Sequence, residues 1–92
     1  MRIVVAYDIV DDRTRNRFAK AMSRYLERVQ KSVFEGEVSH QNYQKIKDHV
    51  MRIINHDEDS VRIYHLCGRC STMTELFGIS GWIEGEDRDE VI

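Results

Sequence analysis

The order in which strand-like and helix-like hydrophobic patterns follow one another along this chain leaves few possible folds. Residues 3–7 are all apolar and rich in β-branched side chains, which predicts a strand covered on both faces near the middle of a sheet. A helical pattern, two further strands, a second helix and another strand at residues 61–67 follow it. This order, β-α-β-β-α-β, predicts an α+β fold of the ferredoxin-like type, with both helices on one face of an antiparallel sheet.

The two predicted helices have candidate cap residues and apolar stripes at helical spacing. Asp11 or Asp12 can cap the first helix, and Ser39 can cap the second, which is expected to end at about residue 54. Between the helices, residues 28–38 alternate with the period of strands, and Gly36 indicates the bend of a hairpin. The two stripes consist of Phe18, Ala21, Met22, Tyr25 and Leu26, and of Tyr43, Ile46, Val50, Ile53 and Ile54.

One more strand-like segment lies beyond this order, at residues 74–77, between Gly68 and Gly78. An exposed sheet edge can pair with a strand of another chain, so we expect this short extra strand to pair across a symmetric homodimer. A dimer would also help a chain of 92 residues, since a small domain buries only about 60 to 65% of its unfolded surface. We divide the chain into a ferredoxin-like domain, residues 1–80, and an acidic C-terminal tail, residues 81–92.

The composition indicates a cytoplasmic protein without a membrane segment. No apolar run approaches the roughly 20 residues of a membrane span, and the opening MRIVVAYDIV lacks the cleavage site of a secretory signal. Cys67 and Cys70 are expected to be free thiols in a reducing compartment. A zinc or redox role for this C-x-x-C pair is less favoured, because His65 is the only further ligand nearby and no helical pattern follows.

Charge is distributed unevenly, although the formal net charge is only -2. Between residues 13 and 31, seven basic residues, Lys31 among them, stand against one acid, Glu27, whereas the C-terminal tail is acidic. A basic helix can follow a phosphate backbone without reading bases; the alternative is an ordinary solvated helix face. The candidate nucleic-acid-binding residues are Arg13, Arg15, Arg17, Lys20, Arg24 and Arg28.

Three segments carry a more specific signal: Tyr7-Asp8-Ile9 at the end of the first strand, DDRTRNR at residues 11–17, and RVQKSVFEG at residues 28–36. In this order and spacing they resemble the CRISPR-associated Cas-two family. The resemblance implies a ferredoxin-like homodimer that works in spacer acquisition with the Cas integrase and binds double-stranded DNA or RNA. It also implies a metal-dependent endonuclease, with Mg²⁺ or Mn²⁺ as cofactor, acting on RNA or double-stranded DNA.

Asp8 is the candidate catalytic and metal-binding residue. A carboxylate at the carboxyl end of a central strand is held rigidly beyond the sheet, and two copies near a two-fold axis could share one Mg²⁺. Such an ion could polarise a phosphodiester and activate water. The alternative is that Asp8 only satisfies backbone donors in the following turn. Asp11 and Asp12 are assigned to capping and to the helix dipole instead.

Other functions remain open from the sequence. A purely architectural adaptor would span the captured duplex without catalysis, and a single-strand RNA-binding domain ranks last because the first two strands lack paired stacking aromatics. Tyr7 is expected to point away from Asp8 into the core, with its hydroxyl hydrogen-bonded. The histidines lie far from Asp8 in sequence and are predicted to be surface or packing residues, not an acid and base. They are His40, His49, His56 and His65.

Overall fold

The structure, a computed structural model, describes residues 1–66. The elements are β1 (Arg2–Asp8), α1 (Asp12–Met22), β2 (Glu27–Gln30), β3 (Val33–Glu37), α2 (His40–Ile53) and β4 (Ser60–Leu66). This order confirms the predicted β-α-β-β-α-β arrangement. The predicted extra strand at residues 74–77, the acidic tail, Cys67 and Cys70 lie outside the described residues.

The four strands form one antiparallel sheet in the order β2-β3-β1-β4. In the centre, Val5 of β1 lies opposite Phe34 of β3 on one side and Ile63 of β4 on the other. Phe18 of α1 and Ile46 of α2 pack in the same core as these residues, so both helices cover one face of the sheet. We call the other side the open face. On β1, β3 and β4 its side chains belong to Arg2, Val4, Ala6, Asp8, Val33, Glu35, Glu37, Ser60, Arg62, Tyr64 and Leu66.

Burial alternates along β1. Ile3, Val5 and Tyr7 are buried against the helices, whereas Val4 and Ala6 on the open face are only half-buried. The central position of β1 is therefore as predicted, whereas residues 1–66 of one chain cover only one of its two faces. The helices of one chain cover a single face, so the apolar side chains of Val4 and Ala6 remain partly accessible.

The core holds α1 firmly against the sheet. Phe18 and Met22, one turn apart on α1, are fully buried, as is Phe34 of β3. The rings of Tyr7 and Phe18 lie 4.8 Å apart between centroids, in a tilted arrangement. Each large apolar side chain removed from water contributes roughly 1.5 to 3 kcal/mol, so the position of α1 relative to the end of β1 is strongly determined.

Helix α1 begins as the sequence predicts and ends earlier. The Asp11 carboxylate caps it by accepting a hydrogen bond from the Thr14 backbone N–H at 2.9 Å. The helix ends at Met22, and the backbone N–H groups of Tyr25 and Leu26 both donate to the Met22 carbonyl in the turn that follows. The predicted stripe therefore extends past the helix, but Leu26 is still buried because this turn folds back on the core.

The hairpin between β2 and β3 turns at Lys31 and Ser32, so the predicted bend at Gly36 is wrong. Gly36 lies within β3, opposite Ile3. A β-carbon at position 36 would lie 3.1 Å from Leu26 Cδ2 and 3.5 Å from Leu26 Cα. Glycine is used here because the turn after α1 packs closely over the strand.

Helix α2 agrees with its prediction. Ser39 caps it by accepting from the Asn42 backbone N–H, and Ile46 is fully buried. The remaining stripe residues are half-buried against the core. Within residues 1–66, neither helix is long and apolar enough to cross a membrane.

Candidate functional site

Asp8 is the last residue of β1, opposite Ser60 of β4, and its side chain is exposed. Tyr7 points to the other side, where it is buried, and its hydroxyl donates to the Lys31 carbonyl at 3.3 Å. Burial raises the pKa of the Tyr7 phenol, and the positive charge of Arg28 opposes that rise. Both predictions for this strand end are confirmed: Asp8 projects beyond the core, and Tyr7 anchors β1 within it.

A cleft of about 440 Å³ adjoins this strand end. Asp8 lines it together with three cationic residues from different elements: Arg15 from α1, Arg28 from β2, and Lys31 from the β2–β3 turn. A single carboxylate thus lies in a cleft with three basic residues, and Ile9, Asn16, Ala19 and Ser32 complete the lining. This surface favours a polyanion that passes close to Asp8.

Arg15 is fixed in position by contacts within α1 and the loop before it. One guanidinium nitrogen, Nη1, donates to the Ile9 carbonyl at 2.9 Å, and the other, Nη2, pairs with the Asp12 carboxylate. Asp11 is occupied by Thr14, and those hydrogen bonds lower the pKa of the Asp11 carboxyl. The assignment of both aspartates to local structure instead of the metal site is therefore supported by their partners.

Arg28 closes the β2–β3 turn from the other side of the cleft. Its Nε and Nη2 donate to the Lys31 carbonyl at 3.2 and 2.7 Å, and its guanidinium lies 5.7 Å from the centroid of the Phe34 ring. These contacts hold the Arg28 guanidinium beside the cleft, where its positive charge contributes to the field around Asp8.

The other members of the basic series lie elsewhere. Arg17, Lys20 and Arg24 line a groove of about 340 Å³ between α1 and α2, whereas Arg13 is exposed on the first turn of α1 and lines neither cavity. Spacing explains part of this: Arg13, Arg17 and Lys20 are three or four residues apart and share a face of α1, from which Arg15 is displaced. Arg24 lies in the turn after α1 and reaches the same groove. The predicted series is therefore divided between two surfaces.

Two further residues of the groove, His49 and Arg52, were not predicted to take part in binding. Both belong to α2, on the side that approaches α1. Their only sequence signal was the position of Arg52 in the last turn of α2. Which side of α2 meets α1 depends on the packing of the two helices, and the sequence pattern alone does not reveal it.

Asp59 was also missed. Its Oδ1 accepts from the Val10 backbone N–H at 3.0 Å and its Oδ2 from the Asn55 backbone N–H at 2.8 Å. This one carboxylate joins the loop after β1 to the turn between α2 and β4. It thereby restrains the segment that immediately follows Asp8, and the only trace in the sequence was an acidic residue in a polar turn.

The histidines take no part in the cleft. The His65 ring nitrogen Nε2 lies 3.1 Å from the Tyr43 hydroxyl, and that of His56 lies 3.1 Å from the Met51 carbonyl. His40 begins α2, and His49 lies in the α1–α2 groove. In agreement with the prediction, the described lining of the Asp8 cleft contains no imidazole.

The donor set limits how a metal ion could bind here. Among residues 1–66 no group of three or more histidine, cysteine or acidic side chains is placed to hold an ion. Asp8 contributes a single carboxylate to the cleft. Mg²⁺ commonly binds through one or two carboxylates, with water and phosphate oxygens as the remaining ligands, and Asp8 fits such a site better than one enclosed by protein ligands.

The family model described as CRISPR associated protein Cas2 matches residues 1–74. A protein of Archaeoglobus fulgidus named CRISPR-associated endoribonuclease Cas2 2 is 40% identical over 85 residues, which cover 92% of this chain and 91% of that protein. A protein of Thermotoga maritima named CRISPR-associated endoribonuclease Cas2 is 37% identical and covers 95% of each chain.

Solved structures show the same similarity. The crystal structure of Streptococcus pyogenes Cas2 matches with a TM-score of 0.76 at 31% identity, covering 85% of this chain and 100% of that chain. A structure described as a hypothetical protein from Thermus thermophilus matches with a TM-score of 0.78 at 32% identity, covering 88% of this chain and 94% of the other. The similarity therefore extends from the sequence motifs to the three-dimensional fold.

Proposed function

Because the chain belongs to the CRISPR-associated Cas2 family, we propose that it is a cytoplasmic endonuclease of CRISPR adaptation. In this proposal Asp8 is the catalytic residue for cleavage of a phosphodiester bond of the nucleic acid. It acts as a homodimer, binds duplex nucleic acid and works with the Cas integrase. The names of its relatives favour RNA as the substrate of cleavage, with double-stranded DNA as the alternative. The observation that carries the proposal is the position of Asp8 in a cleft with three basic residues.

The basic residues of the cleft bind and orient the backbone. Arg15 and Arg28 are each held by hydrogen bonds to backbone carbonyls, so their guanidinium groups are already in place when a phosphate arrives. Holding the phosphate in a fixed position reduces the entropic cost of reaction, and guanidinium groups stabilise the negative charge that develops on the phosphate oxygens. Contacts to phosphate carry no sequence information, so we expect cleavage with little base preference.

The open face supports the homodimer. Asp8 projects from the same side of β1 as Val4 and Ala6, and Tyr64 beside Val4 is 48% exposed. Two copies that stack these faces would cover this apolar strip and bring their Asp8 side chains towards a common axis. A second Asp8 would supply the second carboxylate that one chain lacks.

Asp8 of each copy would hold Mg²⁺, or Mn²⁺ in its place, with water and the substrate phosphate as the other ligands. When bound, such an ion supplies Lewis acidity and lowers the pKa of its water. The protein's own contribution is to position the carboxylate at the end of β1 and the phosphate between Arg15 and Arg28. The loop after β1, restrained by Asp59, keeps this geometry fixed.

A second candidate function is an architectural adaptor, in which the dimer spans a captured duplex between integrase subunits and catalyses nothing. The specific observation in its favour is that three of the six predicted binding residues lie in the α1–α2 groove instead of the Asp8 cleft. Under this alternative Asp8 contributes to the interface between copies only.

Metal removal separates the two functions. Purified protein is incubated with end-labelled single-stranded RNA and, separately, with duplex DNA, in Mg²⁺ and then in EDTA. We expect cleavage of at least one substrate in Mg²⁺ and none in EDTA, while duplex binding, measured by fluorescence anisotropy, persists without metal because it depends on Arg and Lys. Binding without cleavage in either condition would contradict the nuclease and favour the adaptor.

A further inference from the structure

The groove between α1 and α2 is lined by charges of one sign. Arg17, Lys20 and Arg24 approach it from the α1 side and Arg52 from α2, with His49 between them. Ala21 and Ile53 complete the lining, so no acidic side chain belongs to it. Four permanent cations therefore share one concave surface of about 340 Å³.

None of these four cations forms an ion pair within residues 1–66, although the acidic residue Asp48 adjoins Arg52 in a neighbouring depression. The ion pairs found within residues 1–66 join the N-terminus to Glu37, Arg2 to Glu35 and Arg15 to Asp12, and none includes a groove residue. Arg52 donates through Nε to the Asp48 backbone carbonyl at 3.3 Å, which orients its guanidinium without neutralising it. Such an arrangement attracts anions, because a bound anion reduces the electrostatic repulsion between the positive side chains of the groove.

The groove also connects to the Asp8 cleft. A further depression of about 320 Å³ lies over α1, and it shares Asn16, Ala19 and Arg28 with the Asp8 cleft and Lys20 with the groove. The three concavities thus follow one another across α1, with basic residues along the whole path. A path of this length fits a polymer with regularly repeated negative charges better than a single small anion.

We propose that the α1–α2 groove is a second phosphate-binding site, which holds the backbone of a nucleic acid continuing from the Asp8 cleft without cutting it. This second site extends the proposed function, and the assignment depends on that function only for the identity of the bound polymer. The chemistry that it recognises is the phosphodiester backbone, bound by guanidinium and ammonium groups on two helices. The lining of the groove contains no carboxylate, so we expect the groove to contribute to binding affinity and not to catalysis.

His49 adds a dependence on pH. Burial, followed by the charges of Arg52 and Arg24, lowers its pKa, while Asp48 opposes this. Tyr25 packs against its ring, and Arg17 and Lys20 complete the charged groups of the groove. A bound phosphate would raise the pKa of His49 again, so binding takes up a proton. The gain in affinity is fully present below the pKa of His49 in the free protein. It disappears as the pH rises through the pKa of His49 in the complex.

Binding is tested with a labelled duplex DNA of about two helical turns, in EDTA, between about 50 and 200 mM salt. The variant Lys20→Gln/Arg52→Gln removes one charge from each helix. We expect its affinity to fall about tenfold at low salt and the slope of log K against log salt to decrease by about 2. The charge-matched control Lys45→Gln/Lys47→Gln, on exposed positions of α2, is expected to bind like the wild type.

Three outcomes would overturn the proposal: equal binding by the groove variant and the wild type, equal losses in the groove variant and the control, or polyglutamate of the same charge competing as well as duplex DNA. Arg17→Gln provides a second variant, which is expected to weaken binding in the same direction. His49→Gln should flatten the rise in affinity between about pH 7.5 and about 5.5, values about one unit above and below the ordinary histidine pKa. The binding assay needs no cleavage, so failure of the nuclease proposal would leave its result interpretable.

Discussion

Replacing Asp8 by asparagine is expected to reduce the rate of phosphodiester cleavage by at least about 100-fold, because the substitution keeps the shape of the side chain and removes its charge. The amide is a far weaker ligand for Mg²⁺ and cannot accept a proton. Asp8 is exposed at a strand end and has no role in the core, so the fold should be unchanged. Initial rates on labelled RNA and duplex DNA, together with the thermal midpoint of unfolding, measure both effects.

A matched control is available in Asp57→Asn, which alters an exposed carboxylate in the turn between α2 and β4. This variant should cleave at the wild-type rate, so a general effect of lost negative charge would be detected. An Asp8→Asn protein that dimerises, binds duplex and still cleaves like the wild type would remove Asp8 from the catalytic site.

Tyr64→Glu is expected to convert the protein to a monomer and thereby abolish cleavage. Tyr64 is an exposed aromatic side chain of the open face, on the edge strand β4 and opposite Val4 in the register of β1 and β4. In a symmetric dimer each copy would bury a carboxylate there, and its desolvation costs about 3 kcal/mol even though Arg62 is close enough to pair with it, which weakens association by over about 100-fold. Sedimentation and cleavage per chain are measured at the same protein concentration.

Met51→Glu is the corresponding control, because Met51 is also an exposed apolar residue but lies on α2, away from the open face. It should remain dimeric and active. If Tyr64→Glu stayed dimeric, the open face would not be the interface. If it were monomeric and fully active, one copy of Asp8 would suffice and the shared site would be wrong.

Much of the fold could be predicted because it depends on local patterns. The Ser39 cap and the stripe around Ile46 are fixed by residues close in sequence, and they appear where the periodicity predicts them. Gly36 was misplaced because its reason is non-local: it accommodates Leu26 from the turn after α1. A glycine needed for close packing cannot be distinguished by sequence pattern from one needed for a hairpin bend.

The candidate site was predictable to a similar extent. Asp8 could be located because a carboxylate directly after a buried strand must emerge at its end, as the structure shows. The division of the basic series could have been found from helical spacing, which separates Arg15 from Arg17 and Lys20. The participation of Arg52 could not, because it depends on how α2 packs against α1. The periodicity of hydrophobic residues does not show which faces of distant helices and strands contact one another.

The most direct test of the shared Asp8 site is the cleavage rate of a mixed dimer, in which one wild-type chain is paired with one Asp8→Asn chain and isolated by two different affinity tags. If both copies of Asp8 build one site, the mixed dimer should be as inactive as the Asp8→Asn homodimer. A rate of about half that of the wild type would mean that each chain carries an independent site, and it would contradict the account.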